Sequence, residues 1–459
     1  MTELDPHELL QAIWARDPTV WTGRDEAKWL GWLDEPGRMR DRIGELERFG
    51  RETRAEFDSF VLLGMGGSSL APEVFRRAFE VDGFHVLDTT HPKAIRRLEE
   101  SIDLERTLFI SASKSGTTLE TRSHTDYFWA KAARGAQWIA ITDPASALEG
   151  LADKRGFRRV FAGEPTIGGR YSALSVFGLV PAALLAPDRV REVLDSAIRM
   201  VQACRERDDN PGLELGLELG RGWHEGGENV CLNPDTFGFG LWAEQLLAES
   251  TGKNGKGLIP APGEDPNGPG RQDARIELDD PLDLGREFFR WEFATAVAGS
   301  ILGINPFDQP NVQEAKDRTS ALLSGHGRGT VPGSSPEETV EGLLAQARPG
   351  DYIGIQAFVD PSIENQRRLD GLVSHARETG CVVTHGYGPR YLHSTGQLHK
   401  GGPRTGVFLQ VVDDTGPELP IPDQKFGFGQ LIRAQADGDY SALKERGRRI
   451  TRVRLEEID

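Results

Sequence analysis

Five short segments set glycines, hydroxyls, amides and charges at spacings that could do chemistry. Gly64-Met65-Gly66-Gly67-Ser68-Ser69 follows an apolar run and precedes a helical stretch. Glycines there let backbone approach a ligand, and the N–H groups of a helix start favour anions. A tight strand-to-helix turn with a serine cap would need the same residues, and the third glycine of a dinucleotide fingerprint is missing. Ser113-Lys114-Ser115-Gly116-Thr117-Thr118 follows a second apolar run. Thr117 with Glu120 predicts a capping box, so a helix begins here. Four hydroxyls and an ammonium at its positive end make a nest of donors sized for phosphate. A hydroxyl-rich cap would account for one or two of these residues, not for all five.

Gly168-Gly169-Arg170-Tyr171-Ser172 allows close backbone approach and carries a permanently charged fork. Taken alone, it would read as a surface arginine in a loop. In Glu244-Gln245-Leu246-Leu247-Ala248-Glu249-Ser250-Thr251-Gly252-Lys253, the residues Gln245, Glu249 and Lys253 recur every four positions and share one helix face. Such spacing usually marks a solvated, ion-paired face, but this one adjoins Leu246, Leu247 and Ala248 and ends in a glycine-rich turn. In Asn305-Pro306-Phe307-Asp308-Gln309-Pro310-Asn311-Val312-Gln313-Glu314-Ala315-Lys316, Asn311 and Glu314 suit a helix start. That puts Lys316 in the first turns, against the helix dipole, with Gln309 just outside; a ligand would give the lysine a reason to be there.

The elements that must position these groups are short strands alternating with helices. Apolar runs at 60–65, 84–90, 107–113, 138–142 and 158–162 are separated by amphipathic segments long enough for crossovers, which predicts a parallel sheet with helices on both faces. After a helical stretch from Leu174 to Trp223, a second set of strands is expected at 229–233, 257–261, 352–359, 381–386 and 407–412. Residues 263–275, polar and rich in Gly and Pro, read as a loop. Residues 1–50 read as amphipathic helices with exposed Trp and Arg, packed on the outside of the α/β units, and 426–459 as a helical, basic tail. The expected domains are therefore 1–50, 51–190, 191–425 and 426–459.

Composition narrows the class. Hydrophobic residues at 38% and charged residues at 27% fit a globular chain, and 459 residues suggest two or three packed units. A net charge of −17 argues against general affinity for nucleic acid or anionic membrane. An anionic substrate would then need a locally positive pocket. Cys204, Cys231 and Cys381 are widely spaced and form no CxxC pair, so neither a disulfide framework nor a zinc site is expected. The N-terminal residues have no basic start followed by an apolar run, and no stretch reaches the roughly 18 apolar residues that span a bilayer. The expected location is the cytoplasm. No HExxH and no His/Asp/Glu grouping at ligand spacing occurs, so neither metal nor cofactor is expected.

Together and in this order, the five segments resemble the glucose-6-phosphate isomerase family: the GxGGS turn, the SKS-G-TT loop, GGRYS, the QxxxES-x-GK helix and FDQ…K, spread over residues 60–320. With YGPRYLHSTGQLHKGGP before it, GFGQLIRAQADGDYSALKERGRRI resembles the isomerase half of bifunctional transaldolase/glucose-6-phosphate isomerases; the transaldolase half has no counterpart at this length. The resemblance implies two SIS-type, doubly wound α/β domains with flanking helices. It implies a glucose 6-phosphate–fructose 6-phosphate isomerase working through an enediolate, with a phosphosugar as its small-molecule partner; a homodimer is compatible with it. It further implies that Ser113, Lys114, Ser115 and Thr118 bind the 6-phosphate, and that Gly67 and Ser68 line the sugar pocket. Glu249 would shuttle the proton and Arg170 would stabilise the enediolate, with Lys316 able to add to its field. Gln245, Gln309 and Lys316 would touch phosphate or sugar hydroxyls. The family's ring-opening histidine follows a TxGQH segment placed before FDQ, whereas here Thr395-Gly396-Gln397-Leu398-His399 comes after FDQ with one extra residue. His399 is the expected residue and His393 its competitor. A dual phosphoglucose/phosphomannose isomerase and a non-catalytic SIS phosphosugar sensor are the alternatives. The sensor would need neither Glu249 nor Arg170, and residues 1–50 hold no basic recognition helix.

Overall fold

A computed structural model of the chain describes residues 5–310, Thr319, Leu323 and 339–458. The first sheet comprises β1 (Ser59–Leu63), β2 (Phe84–Leu87), β3 (Thr107–Ala112), β4 (Trp138–Thr142) and β5 (Arg159–Ala162), all parallel, in the order β2-β1-β3-β4-β5. Its strands are apolar on both faces, and successive residues feed different cores. Phe60 and Leu62 pack in one core, whereas Val61 and Leu63 pack in another. Parallel neighbours need crossovers. Helices α3 (Leu70–Phe79), α4 (Pro92–Ser101), α5 (Leu119–Trp129) and α6 (Ala147–Arg155) supply them. The strand order reverses direction between β1 and β3, and ligands of such sheets bind at the carboxyl ends flanking that point. The GMGGSS and SKSGTT segments leave those two ends.

Helices α1 (Pro6–Trp14) and α2 (Glu35–Glu56) precede the sheet, and α7 (Val176–Leu185), α8 (Val190–Ala203) and α9 (Pro211–His224) come after it. The tryptophans of residues 1–50 are not exposed as expected. Trp21 and Trp32 are buried, and Trp14 and Trp29 are half-buried. The reason is α11 (Leu284–Leu302), a helix buried on nearly every side. Trp14 stacks against Phe289 and Phe293 on that helix. The Trp21 indole donates to Ala296 O at 2.8 Å, and Trp32 lies over Tyr171.

The strands of the second half divide between two hydrogen-bonded sheets. One is β7-β6-β8, from β6 (Asn229–Asn233), β7 (Ile259–Pro262) and β8 (Arg271–Arg275); the other is β10-β9-β11-β12, from β9 (Tyr352–Phe358), β10 (Val382–Tyr387), β11 (Gly406–Val412) and β12 (Arg449–Arg454). Both are parallel throughout, and Cys231, Ile259, Tyr352, Val382 and Phe408 share one apolar cluster where they adjoin. Helix α10 (Phe239–Thr251) crosses from β6 to β7, and α12 (Val340–Leu344), α13 (Ile363–Arg377), α14 (Gly396–Gly401) and α15 (Phe428–Glu445) accompany the last sheet.

Two readings need correction. The end of the expected 263–275 loop is strand β8, held by main-chain pairing to β6, so its polar side chains left no apolar pattern to read. The expected helical tail is helical only to Glu445; β12 then joins β11 as an integral strand. Arg452 is buried there because it donates to Gln410 Oε1 at 2.6 Å and to Asp437 Oδ1 at 2.5 Å.

Candidate active site

Ser113 to Thr118 turn the chain from β3 into α5. Ser113 Oγ lies 2.9 Å from Thr118 Oγ1 and accepts the Gly116 N–H at 3.1 Å. Gly116 sits at φ +70°, a conformation that favours glycine. Ser115 is exposed, its Oγ 3.0 Å from Thr117 Oγ1. Thr118 occupies the N-cap of α5 but makes no side-chain capping bond, and the expected Thr117–Glu120 capping box does not form. Glu120 turns inward instead. Lys114 also departs from expectation. Its ammonium donates to Asp143 Oδ2 at 2.5 Å and to Glu164 O at 3.1 Å, bracing the loop against the end of β4. The hydroxyls and first-turn N–H groups are thus the loop's groups free to face an anion, while the ammonium braces the loop.

Gly66 and Gly67 allow three segments to converge. Gly66 has φ +55°, and a Cβ there would fall 2.6 Å from His393 O and 2.9 Å from Gln245 Nε2. A Cβ on Gly67 would fall 2.1 Å from Gly169 O. The turn therefore abuts the GGRYS loop, the 393 segment and α10 at once, with Ser68 buried in it.

Helix α10 is buried continuously from Trp242 to Thr251, so the face bearing Gln245 and Glu249 looks into the protein rather than into solvent. Gln245 Nε2 donates to Glu249 Oε2 at 3.0 Å and to His393 O at 2.8 Å. Glu249 Oε2 stands 3.6 Å from Arg170 Nη1. Burial raises the Glu249 carboxyl pKa above its ordinary value; Arg170, then His393, Gln245 and Lys253, oppose the rise. Arg170 is only 1% exposed. Its Nε donates to Ser250 Oγ at 2.8 Å, Nη1 to Gln309 Oε1 at 2.5 Å, and Nη2 to Pro306 O at 2.7 Å and Asp308 O at 3.0 Å. Gln309 thereby joins the cluster. Lys316 lies outside the described residues.

The two histidines separate. His393 Nε2 lies 2.9 Å from Glu120 Oε1, and a carboxylate only accepts, so that nitrogen carries the proton. The same oxygen receives Gln435 Nε2 at 2.7 Å, and Gln435 Oε1 accepts from Thr90 at 2.9 Å. His399, the residue expected from the TGQ string, sits apart in the core. Its ring packs on Tyr352, Tyr391 and Phe408, and Nδ1 lies 3.2 Å from Gln356 Nε2. Burial, with Lys400 and Arg448 nearby, holds its pKa well below the imidazole range. A buried neutral ring there packs rather than titrates. The sequence reading missed Glu120, Gln435 and Ser250. Glu120 has the local pattern of a cap, and its histidine partner lies 273 residues further along, beyond any local signal.

Among the described residues no helix is long and apolar enough to cross a membrane, and no three His, Cys, Asp or Glu side chains group to hold a metal ion.

The family model described as Phosphoglucose isomerase matches residues 38–215. The chain is similar to glucose-6-phosphate isomerase of Carboxydothermus hydrogenoformans, 30% identical over 74% of this chain and 83% of that protein. It is also similar to a glucose-6-phosphate isomerase of Thermus thermophilus, 39% identical over 35% of this chain; that match spans 40% of the relative's length. Among solved structures, a glucose-6-phosphate isomerase from Chlamydia trachomatis shares the fold at TM-score 0.58 and 18% identity, over 74% of this chain and 86% of that one.

Proposed function

The chain belongs to the glucose-6-phosphate isomerase family, and from that premise we propose that it interconverts glucose 6-phosphate and fructose 6-phosphate. The observation that carries this reading is the Glu249 carboxyl: buried, raised in pKa, held by Gln245 and facing Arg170. A carboxylate tuned toward neutrality suits removal of a weakly acidic proton beside a carbonyl.

In this reading the 6-phosphate sits on the Ser113, Ser115 and Thr118 hydroxyls and the start of α5, with Gly67 and Ser68 beside the sugar. His393, steadied by Glu120, assists transfer of the ring-opening proton from the anomeric hydroxyl to the ring oxygen. It replaces His399 because it adjoins Gln245 and the GMGGSS turn. Glu249 takes the proton from C2, the C1 carbonyl becomes an enediolate, and Arg170 sits opposite the developing negative charge. As the same carboxyl returns the proton to C1, the proton of the C2 hydroxyl passes to the C1 oxygen, so that C2 becomes the carbonyl and no atom is gained or lost. General acid–base catalysis contributes about 10²–10⁴-fold, leaving the rest to the phosphate's fixing of the reacting carbons. A cytoplasmic location belongs to the same proposal.

The test is a coupled assay of fructose 6-phosphate conversion to glucose 6-phosphate by the purified chain. Turnover above the uncatalysed rate is expected. A protein that binds fructose 6-phosphate without converting it would instead be a sensor.

A further inference from the structure

Lys253 lies just beyond the end of α10 and belongs to none of the steps above. It is 2% exposed, yet its ammonium is surrounded by oxygens of one short segment. Nζ donates to Asn305 O at 2.8 Å, to Asp308 O at 2.5 Å and to Asp308 Oδ1 at 2.6 Å. Arg170 donates to Pro306 O, to the same Asp308 O and to Gln309. Two cations that repel one another are therefore held together by the carbonyls of residues 305–308 between them.

We propose that Lys253 is a positioning residue: together with Arg170 it clamps the 305–309 segment and so fixes the Gln309 amide and the guanidinium that faces Glu249. This rests on the isomerase reading. Removing the positive charge would leave Arg170 without its counterpart and free Asp308 to move, and a displacement of about 1 Å at a reacting centre can cost ~10²-fold.

The clamp titrates. The charged groups facing Lys253 are Arg170 on the GGRYS turn, Asp308 on the clamped segment and Glu249 on α10. Burial, then Arg170, lowers its pKa to about 8, against the pull of Asp308 and Glu249. The ammonium is present below that pH and lost above it, so kcat falls on the alkaline side. Stability runs the other way. Above about 8 the folded lysine is neutral while the unfolded one stays charged up to its ordinary 10.5, so this group's contribution to folding improves with pH.

The experiment measures kcat, KM and thermal melting with fructose 6-phosphate across the neutral and alkaline range for the wild type, Lys253→Arg, Lys253→Met and Asp308→Asn. The expected results are an alkaline limb moved up by Lys253→Arg, moved down by Asp308→Asn, and unaccompanied by melting. Lys253→Met should lose ~10- to 10²-fold in kcat at neutral pH, with little change in KM. If Lys253→Arg does not fold, Asp308→Asn, whose side chain is 42% exposed, decides alone. An active wild type whose alkaline limb is unmoved in the folded variants overturns this inference. A wild type with no isomerase turnover overturns the functional reading, and this inference with it.

Discussion

His393 and His399 lie six positions apart and have opposite environments. His393 spans from Glu120 to the neighbourhood of Glu249 and gives its main-chain oxygen to Gln245. His399 is enclosed by aromatic rings, and its burial, with Lys400 and Arg448 nearby, disfavours its charged form. Of the two, it is His399 that would have to charge a buried apolar core to exchange a proton with a sugar. We expect His393→Ala to slow turnover of cyclic fructose 6-phosphate by ~10²-fold, the scale of a lost general acid–base. Turnover of an acyclic analogue should be spared, because that step is the one proposed for Glu249. His399→Ala should instead lower the melting temperature by opening a cavity among Tyr352, Tyr391 and Phe408, with a smaller effect on kcat. Kinetics of both variants on both substrates check this; a larger kcat loss in His399→Ala would reverse the assignment. The TGQ string carries only a local pattern, whereas the imidazole's place depends on how α14 packs against β9 and β11.

At the scale of elements, the sequence was informative where one physical rule dominated. Strands buried on both faces are continuous apolar runs, so β1, β3, β4, β6 and β9 could be read within a residue or two of their observed bounds. β8 and β12 were not legible. Main-chain pairing holds β8 at a polar edge, and the arginines of β12 resemble a solvated face in sequence, although Gln410 and Asp437 enclose Arg452 in the fold. The SKSGTT turn was legible as a strand-to-helix loop but not atom by atom: its hydroxyls sit at the helix start, while Lys114 is drawn to Asp143. In the proposed function the loop would therefore recognise an anion through hydroxyls and N–H groups. Ser115→Ala with Thr118→Ala should raise KM for fructose 6-phosphate at least ~10-fold with little change in melting, since a hydrogen bond to a charged group contributes about 1.5–3 kcal/mol. Steady-state kinetics and thermal melting check this, and an unchanged KM would remove the loop from the site.

For the whole molecule, the puzzle posed by a net charge of −17 is where an anionic sugar phosphate finds a welcome. In the proposed function the answer is local. The first sheet delivers a helix start and a glycine turn at its reversal point, the GGRYS turn and the segment after α10 bring Arg170 and Lys253, and α15 reaches back to hold Glu120 through Gln435. Segments more than 300 residues apart thus meet around one carboxylate. His393 contacts that carboxylate and acts electrostatically on Glu249, which carries the central claim, so the decisive measurement follows the proton of Glu249. Fructose 6-phosphate incubated in heavy water with the wild-type chain should form glucose 6-phosphate and gain deuterium at the carbons that Glu249 serves. Glu249→Gln should still bind the phosphosugar but lose both isomerisation and exchange by at least ~10²-fold. Exchange and turnover persisting in Glu249→Gln at near wild-type rates would contradict the account.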